Sequence, residues 1–166
     1  MEEARKDLIR DFVSHPVTTE IKSGPTASNF SGTLNGYGNL FSFIGFDQGE
    51  SPTTPIETIL SERLNVKVRA VGGGRFNISI LNAPSKEEIF SATPIPWASG
   101  SSWAEGIEKG ISNLGSFLYK QGGAGGSFSR SGTGIQIKNT LRASNFRPDS
   151  YISSMINKFL KNVITF

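Results

Sequence analysis

The chain has 166 residues and a net charge of +3, with 17 Lys and Arg, 14 Asp and Glu, one histidine and no cysteine. The length suits one domain with its own hydrophobic core, and the lack of cysteine excludes disulfides and thiolate metal ligands. A single histidine also excludes a histidine-rich metal site, and no cofactor is expected. Neither a signal-peptide pattern nor an apolar run of about 18 residues is present, so no contact with a membrane is expected.

The N-terminal third predicts one helix followed by a long loop. The apolar residues of MEEARKDLIRDFVSH share one helical face: Leu8, Ile9, Phe12 and Val13. Pro16 is expected to end this helix. Glycine, serine and threonine then dominate, which predicts a loop at about residues 17–38, and the apolar stretch that follows predicts a strand near residues 39–46.

Three capping boxes predict the starts of further helices, because a Ser or Thr followed three residues later by Glu satisfies free amide groups at a helix N-terminus. The three pairs are Thr54 with Glu57, Ser85 with Glu88, and Ser102 with Glu105. Between the first two, NVKVRAV and RFNISIL alternate apolar and polar residues on either side of GGG. This pattern is typical of a β-hairpin with a glycine turn.

The last third predicts a loop, a strand and a helix. Residues 121–134, QGGAGGSFSRSGTG, predict a Gly-rich loop, and the alternating SGTGIQIKNTLR at residues 131–142 predicts a strand. The final helix has apolar residues at helical spacing: Ile152, Met155, Ile156, Phe159, Leu160 and Val163. Together the elements predict a single α+β domain over residues 1–166, with helices packed on one face of a mainly antiparallel sheet and long Gly/Ser-rich loops.

The sequence offers no convincing catalytic, cofactor-binding or metal-binding residues. The Gly-rich segment lacks the Gly-Lys-Ser/Thr ending of a phosphate-binding loop. His15 has no orienting carboxylate at a recognisable spacing, so it is interpreted as a surface residue. The chain is therefore not expected to be an enzyme.

Charge is distributed unevenly along the chain. Residues 1–62 hold 4 Lys and Arg against 9 Asp and Glu, residues 63–105 hold 5 against 3, and residues 106–166 hold 8 against 2. Such an asymmetry fits an anionic partner such as nucleic acid. It also fits an assembly in which the acidic part of one copy faces the basic part of the next, or charges that are simply scattered over solvated surfaces.

A candidate basic surface lies on the predicted strands and the loop beside them. Its residues are Lys67, Arg69, Arg75, Arg130, Lys138 and Arg142. On the outward faces of strands these side chains could contact phosphates. However, the aromatic residues sit mostly in apolar stretches and are not interleaved with the basic residues as base stacking requires, so any DNA contact is expected to be non-specific.

The predicted helix that begins at Ser102 carries glycines at 106, 110 and 115, although each glycine costs a helix about 1 kcal/mol relative to alanine. Glycines four residues apart allow another backbone to come close. That backbone belongs either to the protein's own sheet or to a neighbouring subunit. For the second case the candidate interface residues are Trp103, Gly106, Gly110 and Phe117.

A resemblance to a known family rests on three segments: GTLNGYGNLFSFIGF, TPIPWASGSSWAEGIEKGISNLGSFLYK and SRSGTGIQIKNTLRASNF. They resemble small virion proteins of tailed bacteriophages, in particular the neck and tail-completion group that joins head to tail. The resemblance implies a compact α+β subunit that forms a homo-oligomeric ring and contacts other virion proteins, such as a portal or adaptor, a tail terminator or a tail tube. It implies no catalytic residues. The expected function is a structural virion protein at the head–tail neck or tail end, assembled in the bacterial host cytoplasm; the alternative is a nucleic-acid-binding protein with a basic surface.

Overall fold

The structure is a computed structural model that describes residues 2–34, 38–62, 65–81, 85–96, 98–109 and 146–164. The α-helices in these ranges are α1 (Glu2–Ser14), α2 (Pro16–Lys22), α3 (Leu40–Ile44), α4 (Thr54–Glu62), α5 (Lys86–Ser91), α6 (Trp103–Lys109) and α7 (Tyr151–Ile164). A 3₁₀ turn spans Gly24–Thr26. The strands are β1 (Asn65–Gly72), β2 (Arg75–Leu81), β3 (Pro94–Ile95) and β4 (Ala98–Ser102).

The core is built by helices that pack on one another. Helix α1 lies along α7, and α7 also contacts α6. Tyr151, at the start of α7, is fully buried against Phe12 of α1 and Trp103 of α6, with ring centroids 5.9 and 6.4 Å apart. The predicted C-terminal helix is confirmed, with the buried residues Ile152, Met155, Phe159 and Val163 on its inner face, although it begins three residues after Pro148.

Residues 16–22 form helix α2, so the prediction of a loop from residue 17 was wrong at its start. Pro16 opens a second helix instead of only ending the first, because proline is well suited to the first helical turn. The His15 side chain caps α2 by accepting a hydrogen bond from the Val17 amide at 3.3 Å. Val17 and Ile21 then fill the core, since both are fully buried.

The predicted strand at residues 39–46 is helix α3. A short apolar run does not distinguish a strand from a buried helix. The Asn39 side chain accepts a hydrogen bond from the Ser42 amide at 2.9 Å and so caps the N-terminus of α3. Gly45 ends the helix in the left-handed conformation, with φ 92°.

Two of the three predicted capping boxes are confirmed at their side-chain oxygens. Ser85 accepts from the Glu88 amide, and Ser102 accepts from the Glu105 amide, each at 3.1 Å. The helix predicted from Thr54 is also present, but Thr54 is its first residue instead of its cap. The α1 helix is confirmed, although Val13 is 42% exposed and lies away from the predicted buried face.

The predicted β-hairpin is confirmed, whereas the prediction of a mainly antiparallel sheet is not supported. The described chain is mixed helix and strand, so the broad α+β class holds. Its strands form two antiparallel pairs, β1 with β2 and β3 with β4, within the ranges given above. The main contacts of β1 are with β2, while the described helices pack together elsewhere.

The strand at residues 131–142 and the Gly-rich loop at residues 121–134 lie outside the described residues. The same holds for five of the candidate site residues: Gly110, Phe117, Arg130, Lys138 and Arg142. These predictions stay predictions.

Candidate assembly surface

The β-hairpin formed by residues 65–81, here called the hairpin arm, ends in an exposed tip. Its register pairs Arg69 with Asn77 and Gly72 with Arg75, which leaves Gly73 and Gly74 as the two turn residues. Both have positive φ, 61° and 75°, as the tight turns that suit twisted hairpins require. The glycines of the sequence motif are therefore needed by the backbone.

The side chains at the tip face solvent. Val71 is 65% exposed, and Arg69, Ala70 and Arg75 are exposed as well. Arg75 is two residues from Asn77, the partner of Arg69, and alternate strand residues share a face. Arg69 and Arg75 therefore lie on the same face of the hairpin arm, beside an exposed branched apolar side chain.

Within the residues that the structure describes, β1 and β2 of the hairpin arm pair only with each other, so neither outer edge is covered by another described strand. A two-stranded hairpin is at best marginally stable alone in water, and the unpaired amide and carbonyl groups of edge strands are ready to pair with another chain. Among the described elements, β1 and β2 make their main contacts with each other, while α7 makes its main contacts with α1 and α6. The hairpin arm is thus well placed to contact another molecule.

A second surface feature is a groove of about 320 Å³ between the α3–α4 loop and the α5–β4 region, here called the proline groove. Its lining residues are Phe46, Glu50, Ser51, Pro52, Pro55, Ala92, Thr93, Pro94, Pro96 and Trp103. Phe46 and Trp103 pack edge to face beneath it, with ring centroids 5.9 Å apart and planes at 90°. The floor of the groove is therefore aromatic and close-packed.

Hydrogen bonds between buried groups fix the wall formed by α5, β3 and β4. The Thr93 hydroxyl donates to the Ile89 carbonyl at 2.9 Å. The Ser102 hydroxyl lies 2.8 Å from the Thr93 hydroxyl. The Trp103 amide donates to the Thr93 carbonyl at 2.9 Å. Because Thr93 is 1% exposed, these bonds are shielded from water and hold the wall in place.

The α3–α4 loop, on the side of the proline groove opposite this wall, carries negative charge. Asp47 and Glu50 lie in an exposed loop, where a Glu50 carboxylate oxygen accepts a hydrogen bond from the Asp47 amide at 2.9 Å. That bond holds the Glu50 side chain along the loop. The result is an apolar groove with two exposed carboxylates beside it.

The candidate interface on α6 is only partly accessible in the described residues. Trp103 is 1% exposed and packs against Phe46 and Tyr151, so its side chain belongs to the core of its own domain. Ile107, one turn on, is fully buried, while Gly106 is partly exposed. Over this first turn and a half, burial favours packing within the protein over contact with a neighbouring subunit.

Three of the six residues of the candidate basic surface lie together on the hairpin arm. Lys67 and Arg69 lie two residues apart on β1, and Arg75 begins β2. Lys67 pairs with Ser79, and both arginines face solvent at the tip. The sequence identified these arginines correctly as outward residues because they alternate with apolar ones.

His15 has an acidic neighbour that the sequence analysis missed. Its Nε2 atom lies 3.9 Å from the carboxylate of Asp149, and its ring lies 4.9 Å from that of Tyr151. Burial lowers the pKa of His15 below its usual value, and the negative charge of Asp149 opposes this effect. The neutral ring is thereby favoured.

This geometry gives His15 a structural role. Its Nδ1 atom accepts the Val17 amide proton, so the ring proton of the neutral form lies on Nε2, towards Asp149. A general base needs a free nitrogen lone pair near its substrate. Because its acceptor nitrogen caps a helix, His15 is not arranged for proton abstraction.

Among the described residues, Glu20 carries a carboxylate within the core and is 0% exposed. One oxygen accepts from the Leu40 amide at 2.7 Å, and the other accepts from the amide and hydroxyl of Ser31 at 2.8 and 2.7 Å. Buried carboxylates need such donors. Glu20 therefore ties the segment before α3 to α2, although sequence spacing gave no sign of this contact.

The described residues contain no group of three or more His, Asp or Glu side chains that could hold a metal ion, and none of the described helices is long and apolar enough to cross a membrane. Comparisons with protein-family models, with curated proteins and with solved structures found no match to this chain. The hairpin arm and the proline groove are two surface features suited to contact with another molecule. The groove was not predicted, but two pairs of closely spaced prolines, in SPTTP and TPIP, are its sequence signal.

Proposed function

We propose that this chain is a structural virion protein of a tailed bacteriophage, which forms a homo-oligomeric ring at the head–tail neck or the tail end. The observation that carries the proposal is the hairpin arm, whose outer edges pair with no other described strand and whose tip exposes Val71 between Arg69 and Arg75. Such an arm gains stability when another subunit covers it. The resemblance of three sequence segments to neck and tail-completion proteins gives this assembly its setting.

A ring requires two different complementary surfaces on each subunit, because identical patches pair into closed dimers instead. The hairpin arm is basic at its tip, whereas the loop that carries Asp47 and Glu50 is acidic. These unlike surfaces on one chain suit head-to-tail association. Contacts with a portal or adaptor, a tail terminator or a tail tube belong to the same proposal, as does assembly in the bacterial cytoplasm.

The alternative function is binding of nucleic acid through the basic face of the hairpin arm. It is favoured by the position of Arg69 and Arg75 on one face. Against it, Phe46, Trp103 and Tyr151 are buried in the core, where they cannot stack on bases. Phe30 is 55% exposed, but it lies in the segment between α2 and α3 and not on the hairpin arm. A surface that offers phosphate contacts without stacking gives weak, sequence-independent binding.

The two functions are separated by measuring the native mass of the purified chain at several protein and salt concentrations, with and without DNA. The ring proposal predicts an oligomer of one defined size that forms as protein concentration rises, together with weak DNA binding. The alternative predicts a monomer that binds DNA tightly with a steep salt dependence. A monomer at every concentration, combined with tight DNA binding, would contradict the ring proposal.

A further inference from the structure

We propose that the tip of the hairpin arm docks into the proline groove of the next copy of this chain. This inference rests on the proposed function, since it names the contact by which the ring subunits join. It commits to one occupant of the groove: Val71 as the apolar anchor, with Arg69 and Arg75 reaching the acidic rim.

The shape of the tip suits insertion. A Cβ atom added at Gly72, Gly73 or Gly74 would meet no other atom within 4 Å, so there is open space directly around the turn. Val71, next to this turn, is 65% exposed. A narrow glycine turn that carries one branched apolar side chain can enter a groove too small for a helix.

The chemistry of the groove matches this tip. Its volume of about 320 Å³ is at the lower end of the range for ligand sites, about 300–1,000 Å³, and holds a few side chains. The apolar lining of the groove, which includes the exposed residues Pro55, Pro94 and Pro96, suits an aliphatic anchor such as Val71. Burying the exposed part of that side chain would stabilise the contact through the hydrophobic effect.

Charge complementarity identifies a second copy as the occupant. The Asp47 and Glu50 carboxylates at the rim are exposed, and so are Arg69 and Arg75 at the tip. Arginine pairs well with carboxylates because its donors match both oxygens. The groove of the same chain does not hold the tip, because Val71 is exposed in the single subunit. The contact must therefore form between copies, and it uses unlike surfaces, as a ring requires.

The lack of cysteine in the chain permits a direct cross-linking test. One variant carries Val71→Cys at the tip, and a second carries Ser51→Cys at the groove. Both positions are exposed, so neither change disturbs the core. Mild oxidation of the mixture should join the two variants to each other. A third variant, Lys6→Cys on the exposed face of α1, is the control partner for each.

The expected result is a disulfide between the Val71→Cys and Ser51→Cys subunits, formed at least about tenfold faster than with the Lys6→Cys control. A tenfold difference corresponds to about 1.4 kcal/mol of preferential contact. Equal rates with all partners would mean random collision and would overturn the docking proposal.

A mixing experiment separates the docking proposal from the proposed function. Val71→Asp blocks the tip by placing a carboxylate in an apolar groove with an acidic rim. Glu50→Arg blocks the groove by repelling Arg69 and Arg75. Each variant alone should remain monomeric, whereas an equimolar mixture should stop at dimers, because each dimer uses the one intact tip and the one intact groove. Lys6→Glu, a control of similar charge change, should assemble like the unmodified chain.

The outcomes are distinguishable. If the unmodified chain forms rings and the two blocked variants also do so, docking at the groove is wrong while the ring function stands. If the unmodified chain stays monomeric and no preferential cross-link forms, both the docking and the ring function are contradicted. Dimers confined to the mixture would support the tip-to-groove contact.

Discussion

At the residue scale, Glu20 holds together a segment whose composition indicates a simple loop. Its carboxylate is fully buried and accepts three hydrogen bonds, from the Leu40 amide and from the amide and hydroxyl of Ser31. The Ser31 hydroxyl also lies 2.8 Å from that of Thr33. Because the Ser31 hydroxyl donates its proton to Glu20, the Thr33 hydroxyl donates to Ser31, and a chain of hydrogen bonds joins Glu20, Ser31 and Thr33.

Glu20→Gln should destabilise the protein although the side chain keeps its size. The new amide group would face an N–H donor where a carboxylate oxygen now accepts, and one buried donor left without a partner costs about 1–3 kcal/mol. Urea unfolding should show a lower midpoint with an unchanged slope. The matched control is Glu3→Gln on the exposed face of α1, which should leave the midpoint in place. Equal midpoints for the two variants would contradict the role given to Glu20.

His15 should make stability depend on pH in the mildly acidic range. Because burial lowers the pKa of His15 in the folded protein, the unfolded chain takes up its proton first as pH falls. Stability is then fully present above the ordinary histidine pKa of about 6.5 and is lost as pH falls below it towards the folded value. Protonation would also remove the Nδ1 lone pair that caps α2.

The melting temperature, measured from pH 7.5 down to pH 5, should therefore fall for the unmodified chain. His15→Asn keeps a side-chain cap for α2 and removes the titration, so its melting curve should vary less with pH over this interval. His15 is the chain's one histidine, which leaves no other histidine to mask the effect. A melting temperature that rises on acidification would contradict the assignment.

At the element scale, helix α7 supplies much of the core. Phe159 is 4% exposed and lies on the same face as Ile152, Met155 and Val163. Phe159→Ala should lower the free energy of unfolding by about 3–5 kcal/mol, because it removes buried apolar surface and leaves a cavity. Asn157→Ala, on the exposed face of α7, is the control and should have little effect. A thermal melt of Phe159→Ala identical to that of the unmodified chain would show that this face does not serve the core.

Local signals predicted the elements that depend on neighbouring residues. The capping boxes at Ser85 and Ser102, the period of α7 and the glycine turn of the hairpin arm all act over two to five residues, and the structure contains each of them. Helices α2 and α3 were missed because they have seven and five residues, too few for a clear period.

Contacts between distant residues could not be read from the sequence. The Tyr151 hydroxyl lies 2.6 Å from that of Thr18, 133 residues away, and desolvation raises the pKa of this phenol so that it stays protonated. The proline groove joins residues 46–55 to residues 92–103 in the same way. Such pairs carry no local pattern. The exposed arginines of the hairpin arm were identifiable because strand alternation is itself a local pattern.

At the scale of the whole molecule, part of the uneven charge distribution along the sequence corresponds to two exposed surfaces. In the described chain, exposed acidic residues include Asp47 and Glu50 beside the groove, and exposed basic residues include Arg69 and Arg75 at the tip. Attraction between exposed charges is screened by salt, whereas burial of Val71 is not. Assembly should therefore weaken with added salt without being abolished, as sedimentation at increasing salt concentrations would show. Complete loss of assembly at moderate salt would indicate a purely electrostatic contact.

The central claim, that another subunit covers the hairpin arm, is tested most directly by amide hydrogen exchange on the monomer and on the assembled oligomer. Residues 65–81 should exchange quickly in the monomer, because a two-stranded hairpin opens readily. They should become strongly protected in the oligomer, while α1 and α7 exchange at the same rate in both states. Unchanged exchange at residues 65–81, with new protection elsewhere on the surface, would contradict the claim.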